Sequence, residues 1–303
     1  MIGDICKVFA PSGAEDEMRK FIEEQISGLF DEIKTDSIGN LIAKSGTGNF
    51  CIECSMDSCG IMIVYSKGGK AHFAGVGGIN AEYLIGKKIL FADGRLGIVR
   101  YDGKTPSESK ISDLYLEADT DDINVGDFGV VKSGYCETSA KMFANGLGNR
   151  IGLAAVIEAL KTSPKPKNLC VVFSAQKRLG ARGIQAFFGA NEFDRVVTVD
   201  AVPCGNGVKS ENGCALVVAD KAGVSDVGFK TELCDLISEK GIRANITVTD
   251  ADLCMGHIIT SGTGTACVAV GIPVSHKDKN FECVEKSDFL DAVKFLSAVI
   301  EGI

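Results

Sequence analysis

No run of three or more consecutive lysine or arginine residues occurs in the 303 residues, and the formal net charge is −8. A phosphate-backbone partner needs a basic patch, so nucleic acid is not an expected partner. Long apolar runs are missing too. The longest, such as Ala266 to Ile272, fall far short of the roughly 20 residues that cross a bilayer as a helix, so no membrane association is expected. Met1 to Phe9 carries no basic segment followed by a long apolar stretch; export is therefore not expected, and a reducing, cytoplasmic location is. Histidine is scarce: His72, His257 and His276 are the only three, each read first as structural or solvated rather than ligating. With six prolines, 45% hydrophobic and 24% charged residues, the composition describes a globular core and excludes a disordered or fibrous chain.

Glycine and cysteine, by contrast, are plentiful. The 36 glycines point to frequent tight turns. In a reducing compartment the twelve cysteines are expected as small buried hydrophobes rather than disulfides, and Cys51, Cys54, Cys170 and Cys267 do lie in strand-like runs. The spacing Cys51-x2-Cys54-x4-Cys59 offers an alternative as a metal site, although the second paired cluster that would strengthen it is missing.

The chain is long enough for two domains, or for one with an insertion. Ser12 and Glu15 read as a capping box, followed by an apolar stripe of Met18, Phe21, Ile22, Ile26 and Leu29 at helical spacing. Strands are expected at Glu32 to Asp36, Leu41 to Lys44, Phe50 to Cys54 and Gly60 to Tyr65. From about Ser66 to Ser139 no amphipathic helix is evident. Short β-type runs at Lys87 to Phe91, Leu96 to Tyr101, Asp113 to Glu117 and Phe128 to Lys132 suggest a small barrel or sandwich. Helix–strand alternation then resumes: helices at Arg150 to Lys161, Gly180 to Ala190 and Glu232 to Lys240, and strands at Asn168 to Ala175, Arg195 to Val199, Ala244 to Thr249 and Thr265 to Ile272. A last helix is capped at Ser287-Asp288. The simplest architecture is an α/β sandwich, residues 1–65 and 140–303, interrupted by an all-β barrel at 66–139.

In open α/β sheets ligands bind beyond the carboxyl ends of the strands. Four segments qualify: Ser55 to Gly60, Asn145 to Arg150, Gln176 to Gly180, and Asp200. These segments carry a specific resemblance. Ala10-Pro11-Ser12-Gly13-Ala14-Glu15, Asp36 to Ile42, Ser55 to Gly60, Gly148-Asn149-Arg150, Gln176 to Gly183, Val199-Asp200 and Pro273 to Glu282 follow in order. Together they resemble the motifs of the glutamyl-aminopeptidase or tetrahedral-aminopeptidase (endoglucanase M-like) family, over nearly the whole chain. The resemblance implies an aminopeptidase-like α/β fold, a β insertion used for dimerisation, and homo-oligomers.

The departures from that pattern fall on the chemistry. Active members are expected to hold two divalent metals, zinc or cobalt, with His, a bridging Asp, Glu, Asp and His, and to use a further Glu as general base. By position the first His is Ser55, the bridging Asp is Gly148, the base is Lys177, the ligand Glu is Arg178 and the second His is Asp278. Asp200 alone remains as a ligand, with Asp57 as the supporting carboxylate. Lys177 and Arg178 would place two positive charges where two cations should sit. The resemblance thus implies no bound cofactor here, and a role in binding a peptide or small ligand in the old cleft, or as an oligomer. Lys177 or Arg178 is expected to neutralise Asp57, Asp200 and Asp278 in a salt-bridge network. Two rival readings keep hydrolysis: a single metal rebuilt from His276, Cys59 and Asp200, or a metal-free pair with Ser55 as nucleophile and Lys177 as base. Cys254, in the Asp252-Leu253-Cys254 segment where the family carries Gly-Thr-Asp, reads as a packed thiol.

Overall fold

The computed structural model describes residues 1–102, 110–118, 123–205 and 207–302. Its centre is an eight-stranded sheet in the order Glu32–Thr35, Leu41–Ser45, Leu169–Ser174, Phe50–Ser55, Arg195–Pro203, Ala266–Val274, Cys214–Ala219 and Ala244–Val248. The four strands from Leu169–Ser174 to Ala266–Val274 run parallel. They read as near-continuous apolar runs because both faces are covered. Along Arg195–Pro203, Val197, Val199 and Ala201 face one layer of core and Val196 and Val202 the other. Helices Asp16–Gln25, Ile151–Thr162, Val227–Glu239 and Lys286–Glu301 build the first layer. Arg182–Ala190 and Met255–Ile259 build the second. Ile157 and Phe295 are fully buried in the first layer, and burial of each contributes roughly 1.5–3 kcal/mol.

Six strands close into a barrel: Gly60–Lys67, Lys70–Val76, Leu114–Glu117, Leu96–Tyr101, Lys88–Phe91 and Phe128–Val131. Ile61, Ile63, Phe73, Ile89, Val99 and Leu116 fill it. The strand Lys70–Val76 was not expected from sequence. It pairs with its predecessor across Gly68-Gly69, both at positive φ, as a two-residue hairpin requires. His72 sits in it, its ring stacked at 4.4 Å on Tyr65. The strand Cys214–Ala219 was also missed, since a short apolar run shows no period that separates strand from helix. A small sheet of Cys136–Glu137, Lys141–Ala144 and Glu282–Glu285 joins the segment after the barrel to the end of the α/β part.

Two helix starts differ from expectation. The first long helix begins at Asp16, and no side chain caps it. Ser12 Oγ is buried without a partner, while Glu15 accepts hydrogen bonds elsewhere. The last helix begins at Lys286, and Asp288 accepts from Glu211 N (2.8 Å) and Gly213 N (2.9 Å) across the fold instead of capping it. Cys51 and Cys54 point to opposite faces of their strand, into separate cores. The alternation of a strand forbids their joining Cys59 in one site. No described helix is long and apolar enough to cross a membrane.

Candidate functional site

The parallel strands end at one rim of the sheet. Phe50–Ser55 delivers Ser55 and, past it, Asp57; Leu169–Ser174 runs on to Lys177 and Arg178; Arg195–Pro203 carries Asp200. A cavity of about 540 Å³ opens at this rim. Ser55, Lys177, Arg178, Asp200, Lys277 and Asp278 line it, with the segment Asp250 to Cys254 on one wall.

Lys177 and Arg178 stand on one tight turn, Lys177–Leu179, flanked by Gln176 at φ +53° and Ala181 at φ +54°. Left-handed backbone at a residue with a Cβ costs roughly 1–2 kcal/mol, so the turn must be held. Three buried side chains hold it. Glu15 Oε1 accepts from Gly13 N (2.8 Å) and Gln176 N (2.9 Å). Asp57 Oδ2 accepts from Arg178 N at 2.8 Å, while its Oδ1 is buried without a partner. Asn40 Oδ1 accepts from Ala175 N (2.8 Å), and Asn40 Nδ2 donates to Gly183 O (2.9 Å).

From this turn the Lys177 ammonium contacts the Asp200 carboxylate directly. The two side chains are only 12% and 17% exposed. Asp200 Oδ1 also accepts from Ala201 N at 2.7 Å. Burial alone would discharge both groups, but each supports the charge of the other. Lys177 ends above its ordinary 10.5, and Asp200 ends below 3.8 with Lys277 assisting. Nearby, Glu53 is 1% exposed and accepts from Ser174 Oγ and Thr198 Oγ1, both at 2.6 Å. Burial pushes its carboxyl above 4.5, against the pull of Lys177.

Arg178 turns the other way. Its Nη2 donates to Asn149 Oδ1, and its Nη1 lies 3.6 Å from Asp278 Oδ1. Asp278 is 58% exposed, sits at φ +61°, and also pairs with Lys277 at 3.2 Å. Gly148 N donates to Glu282 Oε2 at 2.6 Å; a Cβ at Gly148 would lie 3.3 Å from that oxygen. Glu282 Oε1 accepts from Asp278 N at 2.6 Å, so one buried carboxylate ties the backbone at Gly148 and Asp278 together.

The structure therefore brings Ser55, Lys177, Arg178, Asp200 and Asp278 to one cavity, with Gly148 and Asp57 immediately behind it. Of the charge network anticipated for these positions, Lys177–Asp200 and Arg178–Asp278 are present; Asp57 forms no ion pair among the described residues and accepts instead from the Arg178 backbone N–H. A two-metal centre does not fit them. Gly148 has no donor atom, the oxygen of Asp200 is taken by an ammonium, and Lys177 and Arg178 add positive charge. The single-metal alternative fails on geometry. His276 is exposed at φ +59° and does not line the cavity, and Cys59 Sγ donates to Gly77 O at 3.0 Å. Among the described residues no three His, Cys, Asp or Glu side chains are placed to hold an ion. The Ser55–Lys177 pair shares the cavity, but no hydrogen bond joins them among the described residues. An amine held protonated by Asp200 is also the wrong state for a base. Burial raises the Cys254 thiol, consistent with a packed side chain.

Sequence reasoning missed Glu53, Lys277 and the bridging role of Glu282. Glu53 did leave a signal, as the one charge in the apolar run Cys51-Ile52-Glu53-Cys54. The other two did not, because their partners, Asp200 and Asp278 for the Lys277 ammonium and the Gly148 and Asp278 N–H groups for the Glu282 carboxylate, are set by the folded chain.

A family model described as M42 glutamyl aminopeptidase matches residues 39–295. A candidate aminopeptidase of Acetivibrio thermocellus is 28% identical over 310 residues, covering 95% of this chain and 94% of that protein. Among solved structures, the TET aminopeptidase of Thaumarchaeota archaeon SCGC AB-539-E09 superposes with TM-score 0.89 at 18% identity, covering 98% of this chain and 94% of that one. The TET1 peptidase of Pyrococcus horikoshii, which can assemble into a tetrahedron or a large octahedral shell, superposes with TM-score 0.87 at 21% identity, covering 100% and 98%.

Proposed function

This chain belongs to the M42 glutamyl aminopeptidase family, and from that premise we propose that it works without metal-dependent peptide hydrolysis, as a homo-oligomeric protein that binds a peptide or small ligand in the retained cleft. The observation that carries this reading is the Lys177–Asp200 ion pair. It removes the one remaining ligand carboxylate and puts an ammonium where a dication would sit. Repulsion between a unit charge and a dication about 4 Å apart is on the order of 8 kcal/mol at an effective dielectric of 20. The cavity itself is kept, with neutralised charges at its floor and Asp250 and Asp252 on its wall. Association is proposed by extension from the assemblies formed by the Pyrococcus horikoshii peptidase, with the barrel as its surface on the resemblance set out above.

The test combines three measurements on one preparation. Metal content after incubation with zinc, cobalt or manganese and dialysis is expected to be negligible. Aminoacyl p-nitroanilides are expected to show no turnover, and light scattering to give a mass above that of a monomer. One or two tightly held equivalents accompanied by turnover would overturn the reading, and a monodisperse monomer would overturn its oligomeric part.

A further inference from the structure

A second cavity, of about 120 Å³, lies between the barrel and the α/β part. Gly78, Asn149 and Asp278 line both it and the Lys177 cleft. Three of the cations around it, Arg150, Lys132 and Lys279, form no direct ion pair among the described residues, although buried Asp57 acts on Arg150 electrostatically. Arg150 is 4% exposed; its guanidinium donates to Met56 O at 2.7 Å, and to Val8 O and Ser58 Oγ at 3.3 Å each. None of those acceptors is charged, and no described carboxylate pairs with it. Lys132 and Lys279 line the same cavity and likewise have no ion-pair partner among the described residues. The two carboxylates in the lining are engaged elsewhere: Asp278 with Arg178 and Lys277, and Glu282 with two backbone N–H groups. Ser133 also lines the cavity, and its Oγ is buried with no hydrogen-bond partner.

A buried guanidinium with no direct ion-pair partner, which feels only the field of nearby Asp57, and a buried orphan hydroxyl are both costly features. One ligand group would satisfy the two together: an anion with acceptor oxygens. Much of the remaining lining is apolar, including Ile79, Leu84, Leu90 and Val130. The volume suits a small body, since an engineered cavity of about 150 Å³ takes up benzene. We propose that this cavity binds a small apolar carboxylate of about isobutyrate size, either as the free acid or as the C-terminal residue of a peptide. Arg150, Lys132 and Lys279 supply the charge, Ser133 donates its hydroxyl hydrogen to the carboxylate, and the aliphatic wall receives the branched body. The site is separate from the Lys177–Asp200 pair and stands whether or not the chain hydrolyses peptides.

Calorimetric titration of the full chain with isobutyrate tests this, with isobutyramide as the neutral isostere. Ala-Ala-Val with a free C-terminus and its C-terminal amide form the peptide arm. Saturable binding of a carboxylate is expected, weakened by about tenfold or more on loss of its charge. A similar loss is expected in Lys132→Ala/Lys279→Ala, whose side chains are exposed and whose removal leaves the core intact. Ser133→Ala, measured alongside, is expected to weaken binding by a smaller factor. Tighter binding of the peptide than of isobutyrate would assign the peptide source, and the reverse order the free acid. Failure of both carboxylates to bind, equal binding of the amides, or unchanged binding in the double lysine variant overturns the proposal.

Discussion

Replacing Lys177 by methionine removes the ammonium from a pocket that keeps Asp200 83% covered. Removing one partner of a buried pair costs roughly 3–5 kcal/mol, because the other charge is left uncompensated. Two features set an upper limit here. Asp200 retains its bond from Ala201 N, and it can take up a proton. Protonating a carboxyl of ordinary value 3.8 at pH 7 costs about 4 kcal/mol. A loss of about 3 kcal/mol is therefore expected for Lys177→Met, or about 6 °C in melting temperature at roughly 2 °C per kcal/mol for a chain of this size. Lys177→Met/Asp200→Asn removes both charges and is expected within about 1 kcal/mol of the parent, because a buried pair is no more stable than a well-packed neutral replacement. The pH dependence follows from the directions of the shifts. Asp200 is held below 3.8, so its contribution is present above that value and lost as pH falls through its folded value. Lys177 is held above 10.5, so its contribution is complete below that value and lost as pH rises past it. The difference between parent and Lys177→Met should therefore be level from about pH 5 to 10 and shrink on either side. Denaturant unfolding of the four-member cycle at several pH values gives the coupling directly. Additivity within about 0.5 kcal/mol would refute the ion-pair reasoning.

Other expectations follow from the same geometry. In the parent, burial raises the Glu53 carboxyl, so its contribution is present below 4.5 and lost as pH rises through the folded value. Compared with Glu53→Gln, the parent should gain stability toward acid, and a pH-independent difference in unfolding midpoints would contradict this. Gly148→Asp alone is expected to destabilise by about 1–3 kcal/mol, since its Cβ would lie 3.3 Å from Glu282 Oε2 and its charge would face that carboxylate; an unchanged melting curve would refute it. Gly183→Ala would drive a Cβ to 2.2 Å from Asn40 Oδ1 and 2.3 Å from Ala175 O. A loss of about 3 kcal/mol or more in chemical denaturation is expected. EDTA should leave the melting temperature within about 1 °C, because a ligand that stabilises the fold lowers that temperature when removed; a larger drop would point to a bound ion.

Much of the fold was legible because the signals were local. Apolar runs of four to six residues, broken by glycine turns, marked strands such as Leu169–Ser174, and the 3.6-residue stripe marked the helix Asp16–Gln25. Lys70–Val76 escaped because its identity comes from its partners in a closed barrel rather than from its own alternation. The capping box at Ser12 and Glu15 failed because Glu15 found a better use at Gln176 N, 161 residues away. Site positions were legible to the extent that ordered motifs located them. Their pairings were not, since which carboxylate meets which cation depends on side-chain reach across the cleft.

By itself, then, the sequence determined that Gly148, Lys177 and Arg178 cannot present a metal with three carboxylates, for side-chain chemistry is a property of the residue alone. Only the tertiary structure decided that Lys177 closes on Asp200 while Arg178 turns to Asn149 and Asp278. Those two side chains are neighbours in the chain, and a single strained turn, hung on Glu15, Asp57 and Asn40, aims them in different directions. The same holds for Arg150, whose lack of a direct ion-pair partner could be recognised only once the barrel and the sheet had closed around it.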